Sequence, residues 1–547
     1  MQIKSSSTGD LPLLAEILDR SHLAELIDQH LETHPHRQGP SVGKTIQIWL
    51  MYILSQMDHR LSSVEPWVKR SLEVLRWVCE EPELQPCHLS DDYLGTILEL
   101  MDRHEEWLAY EAEQHRHIVQ VFDLRQETVR LDATNVSSYR TPEGLFQIGH
   151  SKKGGSALAQ LKVMLASLDP WAIPIASCSF PGHRADDQLY IPVIKQAQEQ
   201  LPSQGLLYVG DTKLGNKKNF AYLDQTGNAY LSPLSKTQFD KEQLEEAIHL
   251  AQQDQQAIRP VYKDDQLIAQ VYELPEVKCR EPAVGHQWTQ RHILVKSVQL
   301  AQRQSASLKK RIKKAQKEIL ERFLPKQGRK IFSTVQEART FVNKVLKRRK
   351  VKKYITPDYE LVYDPKRNRE IAKCRMSIET TKLEQALEQM GWRVYATNSP
   401  ASRLEAEQVV TIYRRQYRIE QNFHQLLKKV TRLMPVFLSK ENRIENLIRL
   451  SVLALKFSAV IQYKVRKALD HSKGYMVNLI PYSPGQKVEN PTTYRLLQAF
   501  KDLQLFIIQE QGKDPTYQVE PLKDIQVQIL ELLEIPLEVY LHPCQRT

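Results

Sequence analysis

The chain has 547 residues, 41% of them hydrophobic, with 76 Lys and Arg against 65 Asp and Glu, a formal net charge of +11 and a pI near 9.1. That length allows a sizeable core shared among several domains, and so basic a chain suits a polyanion, nucleic acid first. No apolar run approaches the ~18 residues of a membrane span, MQIKSSSTGD lacks the apolar core of a secretory signal, and the 6 scattered cysteines without a CxxC pair read as reduced thiols in a cytoplasm.

The first 126 residues read as helical. LAELIDQHLE, VGKTIQIWLMYILSQM and DDYLGTILELMDRHEEWLAYEAEQHRH repeat apolar residues every three or four positions, and Pro40, Pro66, Pro82 and Pro86 punctuate them. Such a module suits DNA binding, dimerisation or simple packing. From Glu127 the texture becomes α/β: TVRLDATNVSSY, LKVMLASLD and IPIASCSF are strands, and DDQLYIPVIKQAQEQL is an amphipathic helix. LLYVGDTKL is a buried strand, NKKNFAYLDQ a short helix and NAYLSPLS a further strand.

Residues 235–393 interrupt that order with a helix, KEQLEEAIHLAQQDQQ, and β-like pieces QLIAQVYEL, HQWTQRHILVKSV and YELVYD. Between positions 309 and 353 the only acids are Glu318, Glu321 and Glu337, so this is the most basic part of the chain, and DNA contact is expected of it. GWRVYATN then returns as a strand. A long helix is expected from Ser402, which with Glu405 fits a capping box, and helix continues to about Leu469. The linker GYMVNLIPYSPGQ and a short helical tail, residues 470–547, close the chain.

Three acids stand out. Asp132 follows the strand TVRL and Asp211 ends the strand LLYVG, so two strands of one sheet can set them side by side where α/β sheets place their chemistry. On VVTIYRRQYRIEQNFHQLLKK, helical spacing puts Tyr413, Gln416, Tyr417, Glu420, Phe423 and His424 on one face, aiming Glu420 at a core or cleft. Arg414, Arg415 and Arg418 precede it and Lys428 and Lys429 follow, and a metal-binding acid beside phosphate-binding cations suits phosphodiester chemistry.

These residues resemble those of bacterial insertion-sequence transposases of the RNase-H-like DDE superfamily. RLDATNVSSY resembles the first-aspartate strand, YVGDTKL the second, and YRRQYRIEQNFHQLLKK the signature helix Tyr-x2-Arg-x3-Glu-x6-Lys. GHSKKGG, HQWTQRHILVKS, RVYATN and PVFLSKENRIENLIRLSVLALKF resemble supporting segments, and the likeness runs over about residues 23–469. Counted from Glu420, the signature arginine falls on Gln416 and the lysine on Leu427, with Arg415 and Lys428 each one residue, or about 100°, away.

The resemblance implies an RNase-H-like mixed sheet (127–234 and 394–469) interrupted by an α/β insertion domain (235–393), with helical N-terminal (1–126) and C-terminal (470–547) regions. It implies a transposase that cuts double-stranded DNA at the element's terminal inverted repeats and joins it to target DNA, as a homodimer on paired ends in a bacterial cytoplasm, at the nucleoid. Asp132, Asp211 and Glu420 are its expected catalytic residues. As hard oxygen donors they suit Mg²⁺, with Mn²⁺ as substitute, and two ions about 3.5–4 Å apart. Water would free a 3′-hydroxyl that attacks target DNA, with no covalent enzyme intermediate. The expected DNA contacts are Tyr413, Arg414, Arg415, Arg418, Lys428, Lys429, Trp288, Lys152, Lys153, Lys347, Arg348, Arg349 and Lys350. For Trp288 packing competes with base stacking. For His183, Asp186 and Asp187 helix capping outweighs metal binding, and for His424 burial with a hydrogen bond outweighs proton transfer. The rival readings are a non-catalytic DNA-binding relative and a structure-specific nuclease of the same fold.

Overall fold

The computed structural model describes residues 2–31, 39–149, 158–201, 204–324, 326, 331–365, 368–512 and 515–541. They form two compact units, Met1–Tyr230 with Arg415–Thr547, and Leu231–Arg414.

In the first unit the helices Leu11–Arg20, Leu23–His30 and Val42–Gln56 begin an N-terminal helical module. Ser41 caps the third by accepting the Lys44 N–H at 3.1 Å. Gly43 is what lets two of these helices touch: a Cβ there would lie 2.1 Å from the Ala24 carbonyl oxygen. The helix Glu441–Ser472 is buried on all sides through its middle, so its near-continuous apolar run is a core helix. Neither end of the chain is wholly helical. Gln2–Ser7 pairs antiparallel with Gln504–Gln509, which pairs with Thr516–Val519. Strands of four to six residues are too short to show a period that marks them in sequence. Among the described residues no helix is long and apolar enough to cross a membrane.

The sheet of this unit runs Ile173–Pro181, Ala159–Leu168, Thr128–Ser138, Leu207–Val209, with the start of Ala229–Pro233 beyond. The first three form an antiparallel meander. The helix Tyr190–Gln200 then carries the chain to Leu207–Val209, parallel to Thr128–Ser138, which is an RNase-H-like order. Ala159–Leu168 is buried at every position, the pattern of a strand covered on both faces.

In the second unit Trp392–Thr397 pairs with Leu231–Pro233 on one side and with His286–Ser297 on the other. Gln266–Glu281 and Arg259–Lys263 follow. The helices Val298–Phe323 and Val335–Arg349 and the hairpin Ile355–Asp364/Arg369–Ile378 close on Leu308, Ile312, Ile319, Val342 and Ile355.

The helix expected from Ser402 differs in two ways. It begins at Ala406, with the Gln408 side chain accepting the Glu405 N–H at 3.0 Å, so the Ser402 capping box does not form. It also ends at Arg414, and a new helix runs Tyr417–Lys428. Gln416, between them, has its side chain bonded to the strand Thr128–Ser138.

Candidate active site

The parallel ladder between the two aspartate strands matches Arg130 with Val209, an offset of 209 − 130 = 79. Since 211 − 132 is also 79, the same register brings Asp132 level with Asp211 just past the shorter strand, on chains about 4.8 Å apart. Both side chains are partly exposed, as groups at the mouth of a sheet are. Asp132 accepts the Ala133 N–H at 2.8 Å. Asp211 Oδ1 accepts the Tyr190 hydroxyl at 2.7 Å and the Lys213 N–H at 2.8 Å. Tyr190 is buried, and burial first, then the charges of Asp211 and Asp132, push its hydroxyl well above the usual tyrosine range, so it stays a neutral donor. Gly210 makes room for it, since a Cβ there would lie 3.2 Å from the Tyr190 ring and 2.8 Å from Leu214.

The buried face of the helix Tyr417–Lys428 is Ile419, Asn422, Phe423 and Leu426. Tyr417, Glu420 and His424 are exposed, which corrects the inward aim expected for the glutamate and the burial expected for the histidine. Apolar residues at three- and four-residue spacing set that phase. The helix is pinned by side-chain amides: Gln416 Nε2 donates to the Leu131 carbonyl at 3.0 Å, and Asn422 donates to Ser167 Oγ at 3.2 Å and to the Ala172 carbonyl at 2.5 Å. Glu420 follows Gln416 by one helical turn, and Gln416 grips the residue before Asp132. Among the described residues no three His, Cys, Asp or Glu side chains stand close enough to hold one metal ion together. Continued past Arg130 and Val209, the parallel register sets the two aspartates level, and Glu420 is exposed on the helix that Gln416 holds to the Asp132 strand. The two level carboxylates, one oriented by a buried hydroxyl, are hard oxygen donors that fit a divalent cation.

Sequence reasoning missed the support beneath them. Arg130, fully buried on the Asp132 strand, makes two bonds of 2.6 Å to Asp169 and a third, 3.3 Å, to Gln416 Oε1. A guanidinium inside a buried strand has to be paired, and that signal was present in VRLD. Gln416, where the signature has arginine, therefore meets an arginine supplied by the strand.

The remaining expected contacts divide. Lys152 and Lys153, with His150, lie outside the described residues. Tyr413 packs its ring edge on Tyr395 at 4.9 Å, and Arg414 donates to the Ile268 carbonyl at 3.1 Å. Arg415 is exposed with a nitrogen 4.0 Å from Asp169, and Arg418 lies over the Trp171 ring at 5.4 Å. Lys428 and Lys429 are exposed. Trp288 is 6% exposed beside His286, which favours packing over base stacking. Lys347 and Lys350 are exposed, whereas Arg348 and Arg349 bond Glu318, Arg349 at 3.0 Å. Burial would raise the Glu318 carboxyl, but these two arginines hold it below its usual value. Lys309, Lys310, Lys313, Lys314 and Lys317 line one exposed face of Val298–Phe323, opposite the buried Leu308, Ile312 and Ile319. Asp186 and Asp187 lie in the first turn of the short helix Asp186–Leu189, at its N-terminus as expected, but neither side chain caps it: Asp186 pairs with Lys162, and Asp187 accepts from Asn216 at 2.7 Å.

The profile of a family described as "Transposase DDE domain" matches residues 125–457. No curated protein sequence matches the chain. Among solved structures it is similar to one titled "Cryo-EM structure of piggyBac transposase synaptic complex with hairpin DNA", at 8% identity, covering 85% of this chain and 79% of that chain. The TM-score is 0.29, too low to add to the fold described above.

Proposed function

The chain belongs to the transposase DDE domain family, and on that footing we propose that Asp132, Asp211 and Glu420 are the carboxylates with which it cleaves element ends and transfers them to target DNA. The observation that supports this most is the 79-residue offset of the parallel ladder, last seen at Arg130 and Val209, which Asp132 and Asp211 share two residues further on.

The family generally works with divalent metal ions. In this reading Asp132 and Asp211 would hold the cation, Mg²⁺ with Mn²⁺ as substitute, and Glu420, exposed on its helix, would be the third ligand. When bound, such ions activate an attacking oxygen and stabilise a leaving one. The protein's own groups do the rest. Tyr190 fixes the rotamer of Asp211, the Gln416 amide holds the glutamate helix on the Asp132 strand, and Arg415, Lys428 and Lys429 receive the DNA phosphates. The lysine face of Val298–Phe323, with Lys347 and Lys350, adds a sequence-independent backbone contact, and two copies of the chain hold the paired ends.

The test is metal-dependent nicking of a duplex carrying the element's own ends. Asp132→Asn and Asp211→Asn should each abolish nicking while duplex binding persists, and a nicking Asp132→Asn protein would refute the assignment. Strand transfer of the released 3′ end, beyond nicking, separates transposase from nuclease.

A further inference from the structure

The first unit holds an open cleft of about 680 Å³ between the N-terminal module and the turn after the glutamate helix, bordered by His59, Arg60, Arg70, Arg432 and Phe437. A second cleft of about 380 Å³ shares Gln56, Arg70 and Arg432 with it and adds Tyr494 and Lys501. From these two we infer a binding site for an unpaired nucleotide of a DNA strand, with its base on Phe437 and its phosphates on Arg432 and Arg70.

Three observations carry this. The first is charge. Arg60 is spent on Asp58, which it grips with three bonds of 2.8–3.0 Å. Arg70, Arg432 and Lys501 are exposed, and among the described residues their side chains form no hydrogen bond or ion pair, so three unpaired cations face one connected groove. The second is a flat apolar face. Phe437 is 67% exposed, and its ring lies nearly parallel to His59, with centroids 6.2 Å apart and 16° between planes. His59 is buried and its Nδ1 bonds the Thr431 carbonyl at 3.1 Å, so the imidazole anchors the turn and backs the phenyl ring, whose outer face is open. Burial first keeps the pKa of His59 low, against the pull of the Thr431 carbonyl, so the ring adds no charge at neutral pH. Arg432 has φ +47°, a conformation unusual for a residue with a side chain, at the bend that turns the chain into the cleft.

The third observation is size and place. The volume falls among sites that hold one small molecule, about 300–1,000 Å³, and a stacked duplex exceeds it. Cations for phosphate with an aromatic platform for a base are the features of single-strand binding. Only about 12 Å of helix separates Glu420 from Lys428, just before the turn, so a strand at the carboxylates reaches this cleft within a few nucleotides. The site rests on the reading of the chain as a DNA transposase.

The experiment is fluorescence anisotropy of the full chain with a labelled oligodeoxythymidine and, separately, a duplex of equal length. Phe437→Ala should weaken single-strand binding on the order of 5- to 100-fold, the loss of one base–aromatic stack, with duplex binding unchanged and Phe437→Trp restoring affinity. Arg432→Gln should lower the slope of log affinity against log salt by roughly 0.7 for the single strand. Wild-type affinity in both variants, or equal loss on single strand and duplex, would overturn the site. Failure of the catalytic reading shows elsewhere, as metal-dependent nicking that survives Asp132→Asn.

Discussion

The buried hydroxyl of Tyr190 donates to Asp211 Oδ1 at 2.7 Å, a bond that orients this carboxylate from the protein interior. Tyr190→Phe keeps the ring and removes that bond. Outer-shell partners of metal ligands typically account for about 10- to 100-fold in metal affinity. The variant should therefore fold and need on the order of 10- to 100-fold more Mn²⁺ for half-maximal nicking. An unchanged metal requirement would mean that Tyr190 only packs.

Restoring the signature arginine should harm this chain. Arg130 already occupies Asp169, and the Gln416 amide both accepts from Arg130 and donates to the Leu131 carbonyl. Gln416→Arg brings a second guanidinium against the first and removes its acceptor. The expected loss is on the order of 1–3 kcal/mol in urea unfolding, the cost of unsatisfied buried polar groups. A variant as stable as the parent would show that the network tolerates a second cation.

The two basic surfaces of the second unit should respond differently. Changing Lys309, Lys313 and Lys317 to Gln removes exposed charges, so duplex binding should lose salt dependence, by up to roughly 0.9 in slope for each phosphate no longer neutralised, at constant stability. Changing Arg348 and Arg349 also breaks the bonds to Glu318 that tie Val335–Arg349 to Val298–Phe323, so the melting temperature should fall as well. Binding curves and thermal melts of both variants check this, and an unchanged salt slope in the lysine variant would make that face merely solvated.

Stability should depend on pH through Asp10. Burial pushes its carboxyl from 3.8 up to about 6, against the bond from Ser55 Oγ at 2.7 Å. A folded-state pKa above the unfolded one favours the protonated form, so this stability is fully present below the unfolded value and lost as pH rises through about 6. Asp10→Asn keeps an acceptor for Ser55 and does not ionise. Between about pH 4 and 7 the parent should lose on the order of 2–3 kcal/mol relative to the variant, measured by urea unfolding. A pH-independent difference would contradict the shift.

The alternation in TVRLDATN and the apolar run LLYV mark the two aspartate strands, but Asp132 falls inside Thr128–Ser138 and Asp211 two residues past Leu207–Val209, not at the strand ends that the sequence reading expects. The phase of the glutamate helix was legible too, in Ile419, Phe423 and Leu426, but aromatic and polar neighbours drew the expected face toward Tyr417 and His424. The break at Arg415–Gln416 carries no Gly or Pro, and there the Gln416 side chain bonds a distant strand, a tertiary effect beyond local propensity. The Arg130–Asp169 pair spans 39 residues, and the sheet joining the two chain ends pairs Gln2 with Gln509, relationships that no local window contains.

The most direct measurement is nicking and strand transfer by Glu420→Gln on DNA carrying the element's ends, in Mg²⁺ or Mn²⁺, beside a duplex-binding assay. Glu420 is exposed and the amide is nearly isosteric, so the variant should fold and bind DNA at least as well as the parent, with one negative charge fewer near phosphate. The account predicts that both reactions are lost while binding is retained. Parent-like nicking by a folded Glu420→Gln protein would contradict it.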